Sequence, residues 1–182
     1  DRTSLLESIM YHVYPGMTIG IGGSLSIRGI GLLENLAQID VEVLDHWKQG
    51  LTKEDIDVIR LAQLTCDLFL SSANAITEKG DIVNIDGSGN RVNAMTFGPK
   101  KVIIIAGYNK ITPDINSALD RIKRIAAPLN AKRLNMPLPC AETGYCHDCK
   151  VEARICRITS IIQRRPIGTN ISVYLINEEL GL

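Results

Sequence analysis

The sequence predicts an α/β protein in which a mostly parallel β-sheet carries helices on both of its faces. Segments of strand-like composition alternate with segments of helical periodicity along most of the chain, which is the order expected of βαβ units. The central strands are also continuous apolar runs, such as "VIIIAG" from Val102. Parallel strands that are buried on both faces have this composition.

The length and composition are those of one ordinary globular domain. The 182 residues are 45% hydrophobic and 22% charged, and 20 Lys and Arg residues balance 20 Asp and Glu residues. This balance gives no electrostatic bias toward nucleic acid or a membrane surface. No apolar run reaches the length of a membrane-spanning helix, and the chain opens without the basic-then-apolar order of a secretory leader. We therefore expect a single domain over residues 1–182 in the cytoplasm.

The elements of the first half follow in order. The apolar spacing in "LLESIMYHV" indicates an opening helix, and "MTIGIGG" reads as a strand that enters a Gly-rich turn. "SIRGIGLLENLAQI" is predicted to be a helix, weakened by Gly29 and Gly31. A short strand, "VEVLDH", precedes the helix "TKEDIDVIRLAQLTC", in which Thr52 and Asp55 suit a capping box. "DLFLSS" is the next predicted strand.

The second half continues the alternation. "ANAITEKG" is expected to be a turn or a short helix, "DIVNID" a strand, and "GSGN" a turn of the hairpin type. "KKVIIIAGY" is the most apolar strand. "PDINSALDRIKRIAAPLNAKRL" is a long helix that starts at Pro113 and is interrupted near Pro128. "RITSIIQRRPIGTNISVYLINEEL" is interpreted as two final strands around a "PIGTN" turn.

The turn "GIGGSLS" joins the first strand to a helix and is one candidate ligand site. Open parallel sheets bind ligands at the carboxyl ends of their strands, and glycines allow the backbone to approach an anion closely. Gly20, Gly22, Gly23 and Ser24 are the candidate residues. The alternative is a tight strand-to-helix turn that needs small residues for packing.

Three residues after the middle strands form a second candidate site. Glu78 lies two residues before Gly80 in a turn beside an apolar strand, where a carboxylate can act as a nucleophile or base. Arg91 follows a Gly-rich turn and is able to hold a carboxylate or phosphate with two hydrogen bonds. The alternatives are a solvated turn glutamate and an ordinary hairpin turn.

Four of the five cysteines fall within "CAETGYCHDCKVEARIC", at Cys140, Cys146, Cys149 and Cys156. Four thiolates satisfy Zn²⁺ or an iron–sulfur cluster, and a C-x2-C pair is a common chelating unit. His147 is an alternative ligand inside that pair. A disulfide or redox pair, and plain buried thiols, are the competing interpretations. Cys66, the fifth cysteine, suits the core.

The order of several motifs resembles a known family. "TIGIGGSLSIRGIGLLENL", "DLFLSSANAITEKGDIVNIDGSGNRV", "GPKKVIIIAGYNKI" and "AAPLNAKRL" are similar to the lactate-utilization (LUD) domain. This resemblance implies the three-layer α/β/α, Rossmann-like fold of the NagB/RpiA/CoA-transferase-like superfamily. It also implies that Gly20, Gly22, Gly23 and Ser24 face a phosphate-type or CoA-type anion.

The resemblance extends to Glu78 and Gly80, which match the glutamate turn of class I CoA-transferases. That family's Ser-Glu-Asn-Gly pattern reads "TEKG" in this chain, so the match implies a pocket position more than a nucleophile.

Some LUD-domain proteins belong to an iron–sulfur system that oxidises lactate to pyruvate. The resemblance therefore implies a metabolite-binding enzyme or redox subunit of organic-acid utilization, with a four-cysteine site that holds an iron–sulfur cluster or Zn²⁺. The alternative is a non-catalytic metabolite-binding or regulatory module with a structural zinc. The implied partners are a small anionic metabolite and redox proteins or a second copy of the chain.

Overall fold

The computed structural model describes all residues from Asp1 to Leu182. Its strands are β1 Thr18–Ile21, β2 Glu42–Asp45, β3 Leu68–Ser71, β4 Ala75–Thr77, β5 Ile82–Asp86, β6 Lys101–Gly107, β7 Ile111–Thr112, β8 Ile158–Ile162 and β9 Asn170–Ile176. Its helices are α1 Arg2–Met10, α2 Leu25–Arg28, α3 Leu32–Leu36, α4 Lys53–Ala62, α5 Asn90–Thr96, α6 Ile115–Arg121, α7 Ala127–Arg133 and α8 Pro139–Thr143. No helix is both long and apolar enough to cross a bilayer.

The internal contacts divide the chain into two compact units. The first, here called the parallel-sheet unit, comprises Asp1–Ser72, Asn90–Asn109 and Arg165–Gly181. The second unit comprises Ala73–Gly89 and Lys110–Arg164, with Leu182. The expectation of one domain over residues 1–182 stays a prediction.

The parallel-sheet unit has the predicted α/β/α architecture. Its five strands run in the order β2-β1-β3-β6-β9, and every neighbouring pair is parallel. On one face, Ile19 and Ile21 of β1 pack with α1, α2 and α3 in the main apolar core. On the other face, Gly20 lies against Gln63 and Cys66, in the chain that follows α4. Because strand side chains alternate between faces, helices cover both sides, which confirms the predicted fold class.

The second unit contains a separate, mostly antiparallel sheet in the order β7-β4-β5-β8. Ala118 and Ile122, at α6 and the turn after it, pack with Ala75 and Val83 of this sheet. The expectation that "ANAITEKG" is a turn or helix was wrong, because residues 75–77 form β4. A strand of three residues is too short to show alternation.

Three other expectations needed correction. The predicted helix over "SIRGIGLLENLAQI" is two short helices, because Gly31 adopts a left-handed φ of 71° between them. "GSGN" is not a hairpin turn, since it leads from β5 into α5. The two final strands do not pair with each other, because β8 joins the second sheet and β9 joins β6.

The long helix predicted after Pro113 is confirmed, but it contains an irregular turn. Residues Ile122–Ala126 form a π-helical turn between α6 and α7, shortly before Pro128. Proline lacks an N–H and its ring displaces the preceding turn, so the regular hydrogen-bond pattern shifts at this point.

Candidate functional site

The carboxyl ends of β1 and β3 meet closely in the parallel-sheet unit. The N–H of Gly22 donates to the carbonyl of Leu70 at 2.8 Å. A Cβ at Gly22 would lie only 2.9 Å from the Ser71 hydroxyl oxygen. Gly22 therefore allows the end of β1 to approach a serine hydroxyl at the end of β3.

Arg91 reaches the same strand end from another part of the sequence. It lies at the start of α5, which packs against β3, and its Nη1 donates to the carbonyl of Ser72 at 3.3 Å. Its guanidinium is anchored by the backbone at the carboxyl end of β3. The fold thus brings two predicted ligand-binding residues, Gly22 and Arg91, to the adjacent residues Ser71 and Ser72 at the end of β3.

The other predicted residues of this turn have packing roles. Gly20 lies inside β1, where a Cβ would be 2.8 Å from the Phe69 ring, and a Cβ at Gly23 would be 2.6 Å from the Trp47 indole. The Ser24 hydroxyl accepts from the N–H of Ile27 at 3.4 Å and caps α2. These contacts match the tight-packing interpretation, and ligand binding by these three residues stays a prediction.

Trp47 is held against the Gly-rich turn by a charged clamp. The Arg28 guanidinium lies 5.1 Å from the centre of the indole ring and donates to both carboxylate oxygens of Asp45 at 2.7 Å. Asp45 in turn accepts the backbone N–H of Trp47 at 2.9 Å. The turn and the end of β2 are therefore fixed to each other through side chains.

His46 follows β2 and is only 7% exposed. Its Nδ1 lies 3.1 Å from Nε2 of Gln63, which belongs to the 3-10 turn after α4. The sequence carries no signal for Gln63. In the sequence, position 63 looks like any polar residue of a helix. Only the fold places it behind the ends of two strands.

Cys66 lies in the core of the parallel-sheet unit, as the sequence predicted. It is 1% exposed, and burial raises the pKa of its thiol to about 11. A thiol in this environment is protonated and unreactive at neutral pH.

Glu78 and Gly80 form a tight turn between β4 and β5 in the second unit. Gly80 has a φ of 90°, and its N–H donates to the carbonyl of Thr77 at 2.8 Å. The Thr77 hydroxyl donates to the Asp81 carboxylate at 2.8 Å and stabilises the turn. Glu78 is exposed, which is the solvated-turn alternative, and its catalytic role stays a prediction.

Two buried cations of the second unit were not predicted. Lys110 is 3% exposed and donates to the carbonyl of Ala73 at 3.1 Å, while Arg121 is 8% exposed and donates to that of Asn74 at 2.7 Å. Burial lowers the pKa of Arg121. Arginines of a charged helical segment usually lie in solvent, but α6 turns the Arg121 side chain inward, against the backbone of Asn74.

The four clustered cysteines lie in a largely irregular segment of the second unit, here called the cysteine loop (residues 140–156). All of them are free thiols. Cys140 begins the segment in α8 and is buried with Ala131 and Leu138. The N–H of Asp148, which has a φ of 47°, donates to Sγ of Cys146 at 3.3 Å.

The thiols of the cysteine loop are close enough to influence one another. Burial raises the pKa of Cys140, and the charges of Cys149 and then Cys146 add to this effect. The pKa of Cys156 is raised to about 11, first by burial and then by Cys146 and Cys140. No three Cys, His, Asp or Glu side chains, however, are gathered closely enough to form a ligand shell for a metal ion. The donors are thus of the type that binds a metal as thiolates, but they are not gathered around one centre.

His147 lies between the two cysteines of the C-x2-C pair in the sequence, but its side chain is held away from the thiols. Its Nε2 lies 2.8 Å from the Thr143 hydroxyl, and its ring packs against Tyr145 with 4.3 Å between the ring centres. The ligand set, four sulfurs or a set that includes His147, stays a prediction.

Comparison with known proteins gives one family match. The model of the LUD domain matches residues 1–176. No curated protein sequence matches the chain.

Among solved structures, a DUF162 family protein from Deinococcus radiodurans is 10% identical, with a TM-score of 0.37 over 96% of this chain and 98% of that one. Ribose 5-phosphate isomerase from Plasmodium falciparum is 15% identical, with a TM-score of 0.40 over 62% of this chain and 52% of that one. The structure of eIF2B beta from Chaetomium thermophilum is 12% identical, with a TM-score of 0.42 over 64% of this chain and 44% of that one. The chain spans about half the length of these last two proteins, and at such TM-scores the likenesses carry no argument.

Proposed function

This chain belongs to the LUD-domain family, and from that premise we propose that it binds a small anionic metabolite at the carboxyl end of its parallel sheet. The observation that carries this proposal is the meeting of Gly22 and Arg91 at Ser71 and Ser72. An open parallel sheet binds its ligands at this edge, and an arginine anchored to a backbone carbonyl places its permanent charge there.

The ligand class follows from the donors. Arg91 carries a permanent positive charge, and the Ser71 and Ser72 hydroxyls add polar groups to the same strand end. A carboxylate or a phosphate satisfies such a set. Organic acids of the lactate type, which the family resemblance implies, are therefore the first ligands to examine.

The test is a calorimetric titration of the reduced, full-length protein with lactate, pyruvate and inorganic phosphate. Arg91→Met removes the guanidinium and keeps the aliphatic stem, and we expect it to weaken binding by at least tenfold, since a charged hydrogen bond contributes about 1.5–3 kcal/mol. Arg60→Met is the matched control, because Arg60 belongs to the same unit and pairs on α4 with Asp57. Unchanged affinity in Arg91→Met, or no binding by the wild type, contradicts the proposal.

We further propose that the cysteine loop holds one metal centre through Cys140, Cys146, Cys149 and Cys156. The support is the mutual electrostatic effect of these thiols and the N–H that points at Cys146. Four thiolates form a closed site, which supplies electron transfer when it holds an iron–sulfur cluster and a structural cross-link when it holds zinc. Such an arrangement suits a redox subunit or a metabolite-binding module, respectively.

Metal analysis with a visible absorption spectrum, on protein purified without oxygen, separates these alternatives. Several irons per chain and a brown colour bleached by dithionite would support the redox subunit. One colourless zinc per chain would support the non-catalytic module. Cys149→Ser should lose the metal and Cys66→Ala should retain it, and a wild type with neither metal would contradict the proposal.

A catalytic role for Glu78, which the family resemblance suggests, is a separate proposal. Glu78→Gln removes the charge and keeps the exposed turn. If Glu78 is a catalytic residue, this variant loses turnover and keeps its fold.

A further inference from the structure

The strand β9 is one of the two edges of the parallel sheet. It pairs with β6 along its whole length, from Asn170 to Ile176, and it is the last strand in the order of the sheet. A strand with a neighbour on one side only presents a row of N–H and C=O groups on the other side, which a further strand can bind. β9 therefore offers an edge of seven residues for pairing.

The two edges of this sheet differ in length and in charge. β2 has four residues, "EVLD", with an acidic residue at each end, and short, charged edges resist pairing with other chains. β9 reads "NISVYLI", without a charged residue or proline, and its register with β6 is unbroken. Val173 and Leu175 are 42% and 55% exposed. The composition of β9 is thus that of a strand which another strand covers.

The sequence of β9 is complementary to itself in the antiparallel direction. A two-fold axis at Val173, the middle residue of the strand, would set Val173 opposite its own copy and Ile171 opposite Leu175. Side chains alternate between the faces of a strand, so these apolar pairs share one face, and cross-strand pairs of this kind stabilise a sheet. On the other face, Ser172 would lie opposite Tyr174. No like charges would meet along the paired strands.

The charges that flank β9 favour the same arrangement. Arg165 precedes the strand and Glu179 follows it, and both are exposed. Glu178, in contrast, is paired with Arg2 of its own chain at 2.8 Å. Antiparallel pairing brings the beginning of one β9 toward the end of the other, so a basic side would face an acidic side at both ends. Such complementarity is a source of specificity in interfaces, and it indicates a second copy of this chain as the partner.

An exposed tyrosine adds contact area beside the strand. Tyr11, directly after α1, is 87% exposed, and its ring is edge-on to that of His12, with 5.5 Å between the centres. Nε2 of His12 lies 3.2 Å from the hydroxyl oxygen of Tyr174, so Tyr11 lies near β9 on the face to which Tyr174 points. Stable interfaces need more area than one pair of strands supplies, and they are enriched in tyrosine.

We infer that two copies of this chain associate through β9, which pairs with its own copy in the antiparallel direction about a two-fold axis at Val173. The two parallel sheets then form one continuous sheet, and the same residues of both copies make the interface. This inference does not depend on the proposed anion site or on the cysteine loop, because no residue of either takes part.

Sedimentation velocity of the reduced protein, over a range of concentrations, tests the dimer. Val173→Lys would place two ammonium groups against each other at the axis, and we expect it to raise the dissociation constant of the dimer at least about tenfold. Val58→Lys is the matched control, because Val58 of α4 is 66% exposed in the same unit. A monomeric wild type, or a dimer that is weakened by Val58→Lys and not by folded Val173→Lys, would overturn the inference.

A charge exchange tests the antiparallel direction and needs no change within the strand. Arg165→Glu and Glu179→Arg each place like charges at both ends of a homodimer, so each variant alone should dimerise more weakly than the wild type. A heterodimer of the two variants has opposite charges at both ends, and native mass spectrometry of the mixture should show it in excess over both homodimers.

The control for the charge exchange makes the same changes of charge elsewhere in the unit. Lys48→Glu and Glu34→Lys alter exposed positions, and they should leave both homodimers as stable as the wild type. Homodimers of Arg165→Glu and Glu179→Arg that are as stable as the wild type, or a mixture without excess heterodimer, would refute the antiparallel pairing.

Discussion

The two candidate regions are built in opposite ways. The strand-end site, which we define as Gly22, Gly23, Ser71, Ser72 and Arg91, is formed where regular elements end. The Arg91 guanidinium and the Ser71 hydroxyl both donate to the carbonyl of Ser72. The cysteine loop has little regular structure beyond α8, and three of its four cysteines are partly exposed. The first region is ordered by the fold that surrounds it, whereas in the second the proposed metal would have to draw the donors together.

The two kinds of site therefore depend on the rest of the chain in different ways. A site at strand ends inherits its rigidity from the sheet, so a substitution there changes binding or packing locally. A thiolate loop contributes little to its own stability, so its metal would also be a large part of what folds it.

The largest expected effect is metal removal from the cysteine loop. Apparent zinc-binding free energies of about 10–16 kcal/mol in small thiolate sites are coupled to folding, so a chelator should expose residues 140–156 to proteolysis and lower the melting temperature. Phosphate affinity should remain essentially unchanged, because none of the strand-end residues lies in the loop. Limited proteolysis followed by mass spectrometry measures the first effect, and calorimetry the second. A metal-free loop that resists protease as well as the loaded one does would contradict the distinction between the two regions.

The next effect separates a core thiol from the loop thiols. The pKa of Cys66 is raised to about 11 from an ordinary value of 9.0, so its thiolate fraction at pH 8 is about a hundredfold lower than that of an ordinary thiol. We expect iodoacetamide to alkylate Cys66 at least about a hundredfold more slowly in the native protein than in urea. Peptide mass spectrometry gives both rates. Comparable rates in the two conditions would show that Cys66 is accessible and not part of the core.

The smallest effect tests the packing of the Gly-rich turn. In Gly23→Ala the new methyl would lie 2.6 Å from the Trp47 indole, and crowding of this kind costs about 1–3 kcal/mol. Gly168→Ala is the control, because a Cβ there meets no atom within 4 Å, and its cost should be below about 0.5 kcal/mol. Urea denaturation measures both. Equal stabilities of the two variants would mean that Trp47 shifts freely and that Gly23 is not needed for packing.

The sequence predicted the parallel-sheet unit well because its signals are local. The apolar runs at β1, β3 and β6 and the capping box at Thr52 and Asp55 each depend on a few neighbouring residues. The motif made Arg91 a candidate ligand residue, which stays a prediction, and its contact with Ser72 could only follow from the fold.

The missed features depend on residues that are distant in sequence. The Gln63 amide meets two strands at residues 42 and 19 positions earlier in the chain, and no local pattern marks it. Lys110 and Arg121 are of residue types that usually lie on the surface, yet both are buried in the second unit. The cysteines were recognised by spacing, but spacing does not specify whether four sulfurs reach one centre.

The pairing of β6 with β9 has a consequence for how the chain is made. The two strands are paired along their whole length, from Lys101↔Asn170 to Gly107↔Ile176, but the residues of the second unit from Lys110 to Arg164 are synthesised between them. At about 5–20 residues per second, the most apolar strand of the protein waits several seconds on the ribosome for its neighbour. During that time β6 is an open sheet edge, which is the kind of surface on which nascent chains aggregate. Rapid folding of the second unit in that interval, or a chaperone that covers β6, would protect the growing chain.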